Sequence, residues 1–398
     1  MTKHNNSPAL RFPEFEGEWK RKKLNEVATF INGKAYKQEE LLEFGKYPVL
    51  RVGNFFSNNS WYYSDLELNE DKYCDNGDLL YAWSASFGPK IWDGEKTIYH
   101  YHIWKVISSQ AIQQKYLFYI LDEQTLKMKT NSSNGFALLH ITKGTIENWV
   151  ITLPALPEQS RIATFLTAVD DKLTQLKKKK NLLEEYKKGV MQKLFSQELR
   201  FKDENGEEFE EWEEKRLGEI AIKRIIKNTD NKIKNVFTNS AVNGIVNQRD
   251  FFDKDIANQN NLTGYYVVEK NDFIYNPRIS NFAPVGPISR NHLESGIMSP
   301  LYSVFRFTEG NLDFLEWFFN TTIWHKHMED IANYGARADR MSFPIGDFYK
   351  MPIYLPSLPE QTKIATFLNS LDEKISHCGE QIEKMEGWKK GLLQSLFV

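Results

Sequence analysis

Residues Leu153–Leu173 read LPALPEQSRIATFLTAVDDKL, and residues Leu355–Ile375 read LPSLPEQTKIATFLNSLDEKI. The match is still alive at KGVMQKLF (Lys188–Phe195) against KGLLQSLF (Lys390–Phe397), at one constant offset of 202 residues. Each copy predicts a helix. Pro157 and Pro359 suit a first helical turn, where a missing N–H costs nothing, and the glutamate that follows lies near the positive end of the helix dipole. Leu166, Val169, Leu173, Leu176, Lys180, Leu183, Lys187, Val190 and Leu194 are spaced alternately by three and four. Leu368, Leu371, Ile375, Cys378, Ile382, Met385, Lys389, Leu392 and Leu396 repeat that spacing. A heptad seam sustained over about 40 residues, about 60 Å of helix, is the pattern of coiled-coil packing. Lys187 and Lys389 hold equivalent seam positions and are expected to snorkel at a loosened end.

Two similar helices in one chain most simply pair with each other, and an antiparallel pair would set the regions before them at opposite ends of a rod. Pairing with helices of other subunits is the alternative. A second repeat, at a different offset, places LRF at Leu10–Phe12 and Leu199–Phe201, and EWKRKKLNEVA (Glu18–Ala28) against EWEEKRLGEIA (Glu211–Ala221). The chain therefore reads as a unit used twice: lead 1–19, variable region 20–152 and helix segment 153–198, then lead 199–212, variable region 213–354 and helix segment 355–398. Inside the variable regions GDLLYAW (Gly77–Trp83) answers NDFIYNP (Asn271–Pro277), and Phe87–Pro89 answers Val285–Pro287, weakly. Runs such as YPVLRVGNFF and KTIYHYHIWKVI read as strands, while Gln114–Lys129 and Leu312–Ile331 read as helices. The expected fold is α+β: two pseudo-symmetric mixed α/β domains separated by two long antiparallel coiled-coil helices.

Composition bounds the function. The 398 residues are 41% hydrophobic, 26% charged and 14% aromatic, with net charge −2. Two distant cysteines offer no disulfide framework or thiolate metal site, and no run approaches a membrane span. No GxxxxGK[ST] phosphate loop is present. The closest approach to a methyltransferase loop, Asn276-Pro277-Arg278-Ile279, lacks a second proline and a stacking ring, so it reads as a turn. The pairs His100/His102 and His325/His327 have no third ligand nearby, and no metal is expected.

A variable domain followed by LPxLPEQxxIAxFL…LD, used twice, resembles the specificity subunits of type I restriction–modification systems over nearly the whole chain. The resemblance implies a non-catalytic, cytoplasmic, prokaryotic protein with no cofactor of its own. Each variable region would be a target-recognition domain reading one half of a split, asymmetric site on double-stranded DNA. The helices would act as a spacer and dock two modification subunits, which carry S-adenosylmethionine and methylate adenine. ATP-using restriction/translocase subunits would join the same core. A tandem coiled-coil scaffold with two protein-binding heads and no DNA role is the rival reading.

The charge balance favours neither domain as a basic grip on DNA. Residues 24–152 carry 12 Lys/Arg and 15 Asp/Glu, and residues 217–354 carry 15 of each. Base contacts are expected to matter more than phosphate contacts. In the first domain Arg51, Asn54, Ser57 and Asn58 suit base edges, and Ser84 and Ser86 follow a strand in a stretch poor in charge. The matching stretch of the second domain holds Arg278, Ser280 and Asn281. Before each helix, Asn134–Thr142 aligns with Tyr334–Ser342, and the resemblance places such a stretch at the DNA. It offers Arg337, Arg340 and Ser342 in the second copy, where a salt bridge to Asp339 is the structural alternative. The first copy departs from the polar pattern and leaves His140 and Lys143. Lys177–Lys180 read as a solvated helix face.

Overall fold

The computed structural model describes residues 7–56, 58–84, 86–131, 140–251, 262–333 and 339–398. The chain divides into two compact units, Met1–Lys178 with Gly379–Val398, and Lys179–Cys378. Each unit thus joins one variable region to the opening part of one long helix and the closing part of the other, not to a whole helix of its own.

In the first unit a four-stranded antiparallel sheet has the order Ala28–Asn32, Ile103–Ser108, Leu79–Ala82, Gly88–Ile91. Leu79–Ala82 is buried throughout. Because successive side chains point to opposite faces, Leu79 and Tyr81 enter one core and Leu80 and Ala82 another. A second sheet (Tyr62–Ser64, Tyr47–Leu50, Thr97–Tyr99, Tyr73–Cys74) covers the latter core. The helix Gln114–Asn131 lays Tyr116, Leu117, Ile120 and Leu121, one helical face, on the former.

The second unit repeats the four-stranded sheet, but two separate two-stranded sheets, Phe237–Ser240 with Gly244–Asn247 and Tyr266–Val268 with Gly296–Met298, take the place of the other one. Its four-stranded sheet runs Ala221–Lys223, Ser303–Phe307, Phe273–Tyr275, Ile288–Arg290. Phe273 and Tyr275 again face one core and Ile274 another. The helix expected over 312–331 is broken into Leu312–Phe319 and His325–Ile331. At the break Thr321 Oγ donates to the Phe318 carbonyl at 2.7 Å, a side-chain bond that ends the helix.

Each domain is closed by a two-stranded antiparallel ribbon, Lys20–Lys23 with Val150–Leu153 and Glu213–Arg216 with Pro352–Leu355. The chain then enters the long helices Leu156–Phe195 and Leu358–Leu396. The repeated Pro-Glu-Gln acts here. Glu158 is buried and receives Arg11 Nε and Nη2, both at 2.8 Å. Glu360 is buried likewise and receives Arg200 Nε at 3.2 Å and Nη2 at 2.9 Å. Both arginines belong to the repeated LRF, and both also donate to carbonyls of the lead segment, Arg11 to Glu16 and Gly17 and Arg200 to Phe209 and Glu210. The neighbouring glutamines tie helix to domain: Gln159 Oε1 accepts from Gln113 N at 2.9 Å and Gln361 Oε1 from Asn311 N at 2.7 Å.

Within each unit the two helical parts run antiparallel. In the first, Asp170 lies 2.7 Å from Lys389 and Lys177 lies 2.6 Å from Glu386. In the second, Lys187 pairs with Asp372, the equivalent of the 170–389 pair. The seam lysines are therefore ion-paired instead of snorkelling loosely, and each also lies over an aromatic ring, Lys187 over Trp317 at 4.5 Å and Lys389 over Tyr119 at 5.9 Å. The apolar seam positions are buried or half-buried along both helices. Lys178 and Lys179 are exposed, as a solvated face requires.

Removing one partner of a buried ion pair strands the other charge, at a cost of about 3 kcal/mol. Arg200→Ala is expected to lose about that much stability in urea unfolding, because the Glu360 side chain is 0% exposed. Glu360→Gln should lose distinctly less. Equal, small losses for both would show that the pair does not anchor the helix start.

Candidate nucleic-acid interface

The central strand Phe273–Tyr275 ends at Asn276, a buried side chain whose Nδ2 donates to the Asn239 carbonyl at 2.8 Å. Its Oδ1 accepts from Arg278 N at 3.0 Å, which turns the chain out of the sheet. The Asn-Pro pair is thus a strand exit, as the sequence suggests. The chain then runs beside the stretch that precedes the second long helix. Met341 N donates to the Pro277 carbonyl at 2.8 Å, Ile279 N donates to the Asp339 carbonyl at 3.1 Å, and Arg278 and Arg340 stand opposite each other in an antiparallel bridge. Ile279 and Met341 pack on the core, so strand alternation turns the two arginines the other way.

Like charges directly opposite across a strand pair repel. Arg340 Nε lies 3.6 Å from Asp339 Oδ2, too far for a hydrogen bond, and it has no hydrogen-bond partner among the described residues. Arg278 is exposed and forms no ion pair among them. Arg340 thus keeps the ion pair with Asp339 expected as the alternative, but with its Nε donor unspent, and the exposed Arg278 opposite it offers a second guanidinium to an anionic or acceptor-rich ligand. Ser280, Asn281 and Ser342 are exposed beside them in sequence; Arg337 lies outside the described residues.

The first unit makes the same juxtaposition with different side chains. Ile141 N donates to the Trp83 carbonyl at 3.1 Å, and Ser84 and His140 stand opposite each other in an antiparallel bridge. The weak pairing of GDLLYAW with NDFIYNP therefore marks equivalent places. Ser84 is buried, whereas Ser86 and His140 are exposed. Lys143 opens the short helix Lys143–Glu147, capped by Thr142 Oγ accepting from Thr145 N at 3.2 Å, and its ammonium lies 3.7 Å from Glu147.

What the sequence did not reveal is the turn at His100–His102. Trp83 packs its ring against His102 at 4.8 Å and His140 at 6.1 Å, and donates from Nε1 to the Tyr101 carbonyl at 2.8 Å. The His100 and His102 rings lie 4.8 Å apart. The turn also reaches the Arg51 loop, because His100 N donates to the Leu50 carbonyl at 2.9 Å. There Arg51 stacks on Tyr62 at 4.3 Å, with Nε unpartnered among the described residues. Asn54 is turned inward, its Nδ2 donating to the Asn58 and Ser60 carbonyls at 3.0 and 2.7 Å, and Asn58 Oδ1 accepts from Ser60 N at 2.7 Å. Both asparagines shape the loop, Asn54 from a buried side chain and Asn58 from an exposed one. Ser57 lies outside the described residues, as does 134–139.

The histidine pairs serve packing. His327 Nε2 lies 2.9 Å from the Asp347 carbonyl, and the His325 ring lies 4.7 Å from Trp324. Among the described residues no cluster of three metal-ligating side chains occurs, and no helix is long and apolar enough to cross a membrane.

The chain matches the family described as Type I restriction modification DNA specificity domain over residues 16–185 and again over 209–386. It is 32% identical over 221 residues to the type I restriction enzyme MjaVIII specificity subunit of Methanocaldococcus jannaschii, covering 53% of this chain and 50% of that one. Identity to the EcoBI specificity subunit of Escherichia coli is 22% over 179 residues, 44% of this chain and 38% of that one. The chain thus spans about half the length, or less, of these relatives. In fold it is similar to the S subunit of the type I system of M. genitalium (TM-score 0.59, 15% identity, 98% of this chain and 99% of that one). It is also similar to a chain from a study of complex assembly and conformational transition of the type I R-M system (TM-score 0.53, 15% identity, 97% and 99%).

Burial lowers the His100 pKa to about 4, with His102 and Arg51 adding to the effect. The neutral ring accepts His102 N at Nδ1, at 3.4 Å. Between about pH 6.5 and pH 4 an unfolded chain holds a proton that the folded one refuses. The stability contributed by neutral His100 is therefore intact above that window and is lost as pH falls through it. A His100→Gln variant is expected to lose less melting temperature than the parent between pH 7 and pH 5. Identical losses would show that this ring does not govern the acid sensitivity.

Proposed function

The chain belongs to the type I restriction–modification DNA specificity family, and from that premise we propose that it is the non-catalytic, sequence-reading subunit of such a complex. One observation carries the proposal. Each unit builds the same two-segment platform at the end of its central strand, and fills it with different side chains: Ser84 and His140 in one, Arg278 and Arg340 in the other. Equal platforms with unequal residues suit one half-site per domain and an asymmetric bipartite target, by the logic that lets paired readers recognise spaced half-sites. Arginine pairs well with guanine O6 and N7, so the second domain is assigned a guanine contact, with Ser280, Asn281, Arg337 and Ser342 around it. Arg51, Ser86, His140 and Lys143 are the first domain's contacts.

The long helices are the spacer between half-sites and the docking surface for two modification subunits. Those subunits bring S-adenosylmethionine and methylate adenine in the chosen site, and ATP-driven restriction subunits assemble on the same core. With its acidic and basic residues nearly balanced, this chain selects the sequence, while its partners contribute most of the phosphate contacts. It works in the prokaryotic cytoplasm, where the DNA is.

Coexpression with a modification subunit, followed by mapping of methylated adenine across the host genome, tests this reading. A bipartite motif is expected. Exchanging residues 20–152 for another such domain should change one half only, and inserting a helical turn after Lys178 should change the spacing only. Arg340→Ala should relax one position of the second domain's half by about 1–3 kcal/mol. Absence of any new motif would favour the scaffold reading instead.

A further inference from the structure

The two platforms differ in one built feature. In the first unit the hairpin from Ala82 to Gly88 crosses through residues 83–87, and Phe87 is buried. In the second unit the equivalent hairpin leaves at Asn276 and returns at Pro287, where Asn276 N donates to the Pro287 carbonyl at 2.9 Å. The longer connection, residues 277–286, contains a tight turn. Ser280 N donates to the Ala283 carbonyl at 3.0 Å, and Ala283 N donates back to the Ser280 carbonyl at 3.1 Å. Ala283 and Val285 are buried, and Gly286 adopts φ +81° where a Cβ would meet the Asn276 carbonyl oxygen at 2.1 Å. Both feet of the turn are therefore fixed. Its tip is Phe282, which is 79% exposed.

The turn leaves this ring in water. In the chain Phe282 follows directly on Asn281, in the same connection that Arg278 opens after the strand exit. Asparagine and arginine find their bidentate partners on adenine and guanine edges in the major groove, and the apolar group displayed in that groove is the thymine 5-methyl. We propose that Phe282 is an apolar reading finger of the second domain, packing on thymine methyl groups of its half-site. This inference rests on the DNA-reading function proposed above, and it assigns the second domain a contact for which the described residues of the first domain's shorter hairpin show no counterpart.

The test uses the chain assembled with its modification subunits and a duplex carrying the mapped motif. Each thymine of the second domain's half is replaced in turn by deoxyuridine, which removes only the methyl. One replacement is expected to weaken binding by the parent complex about threefold to fivefold, the worth of one buried methyl. The same replacement should leave Phe282→Ala unaffected and still weaken Phe282→Leu, which keeps an apolar tip. Because the ring is exposed, Phe282→Ala should melt at the parent temperature. If no deoxyuridine matters, or if Phe282→Ala responds as the parent does, the finger is overturned while the DNA-reading function stands. If the parent complex prefers no motif over scrambled DNA, the underlying function is overturned and the finger with it.

Discussion

A carboxylate taken out of water must be met by a positive charge, and in this protein that requirement fixes where each long helix begins. Glu158 and Glu360 are buried in the first helical turn, and each is met by the arginine of a lead segment far away in sequence. The same arginines hold lead-segment carbonyls, and the next residue, a glutamine, holds the backbone just before the helix Gln114–Asn131 or Leu312–Phe319. Three elements that share no local sequence are thereby pinned to one point. Everything downstream, from the ribbon that closes the domain to the phase of the helical seam, takes its reference from that point.

The seam adds the second constraint. Its apolar positions set which face of each helix turns inward, but leucines alone specify axial position poorly. The equivalent pairs Asp170–Lys389 and Lys187–Asp372 supply what leucine lacks, since a half-buried lysine tolerates only a register that brings it a carboxylate. Each lysine also borrows a ring from the adjacent domain helix, Tyr119 or Trp317. Helix register and domain seating are therefore fixed by the same side chains.

How much of this the sequence displayed depends on range. The helices were plain, because a heptad is a local, repeated signal, and the repeated LRF and PEQ were visible as words without their meaning. The ion pair between those words joins residues 147 positions apart, and nothing periodic announces it. The same holds for the platform. Ser84 and His140 stand far apart in the sequence, and only the backbone pairing of Trp83–Ser84 with His140–Ile141 makes them one surface. The spacing of His100 and His102 suggests a ligand pair without a third member, whereas in the fold Tyr101 and His102 pack against the Trp83 ring. Asn54 and Asn58 match a base-reading pattern by type, yet Asn54 Nδ2 and Asn58 Oδ1 bond within their own loop, which no local spacing announces. The break at Asn320–Trp324 was hidden because the apolar spacing on both sides continues across it.

The closing ribbons carry a consequence of a different kind. Lys20 lies opposite Leu153 and Lys23 opposite Val150, so a recognition domain begins and ends at a single doorway in the fold. Glu213 opposite Leu355 repeats the arrangement. A cassette with one doorway can be exchanged whole: the incoming chain need only present two strands of the right register, whatever its interior. Helix, clamp and seam would meet the same frame as before. Diversity in a domain's surface and constancy in how the domain is mounted are, in this architecture, separable properties of one polypeptide.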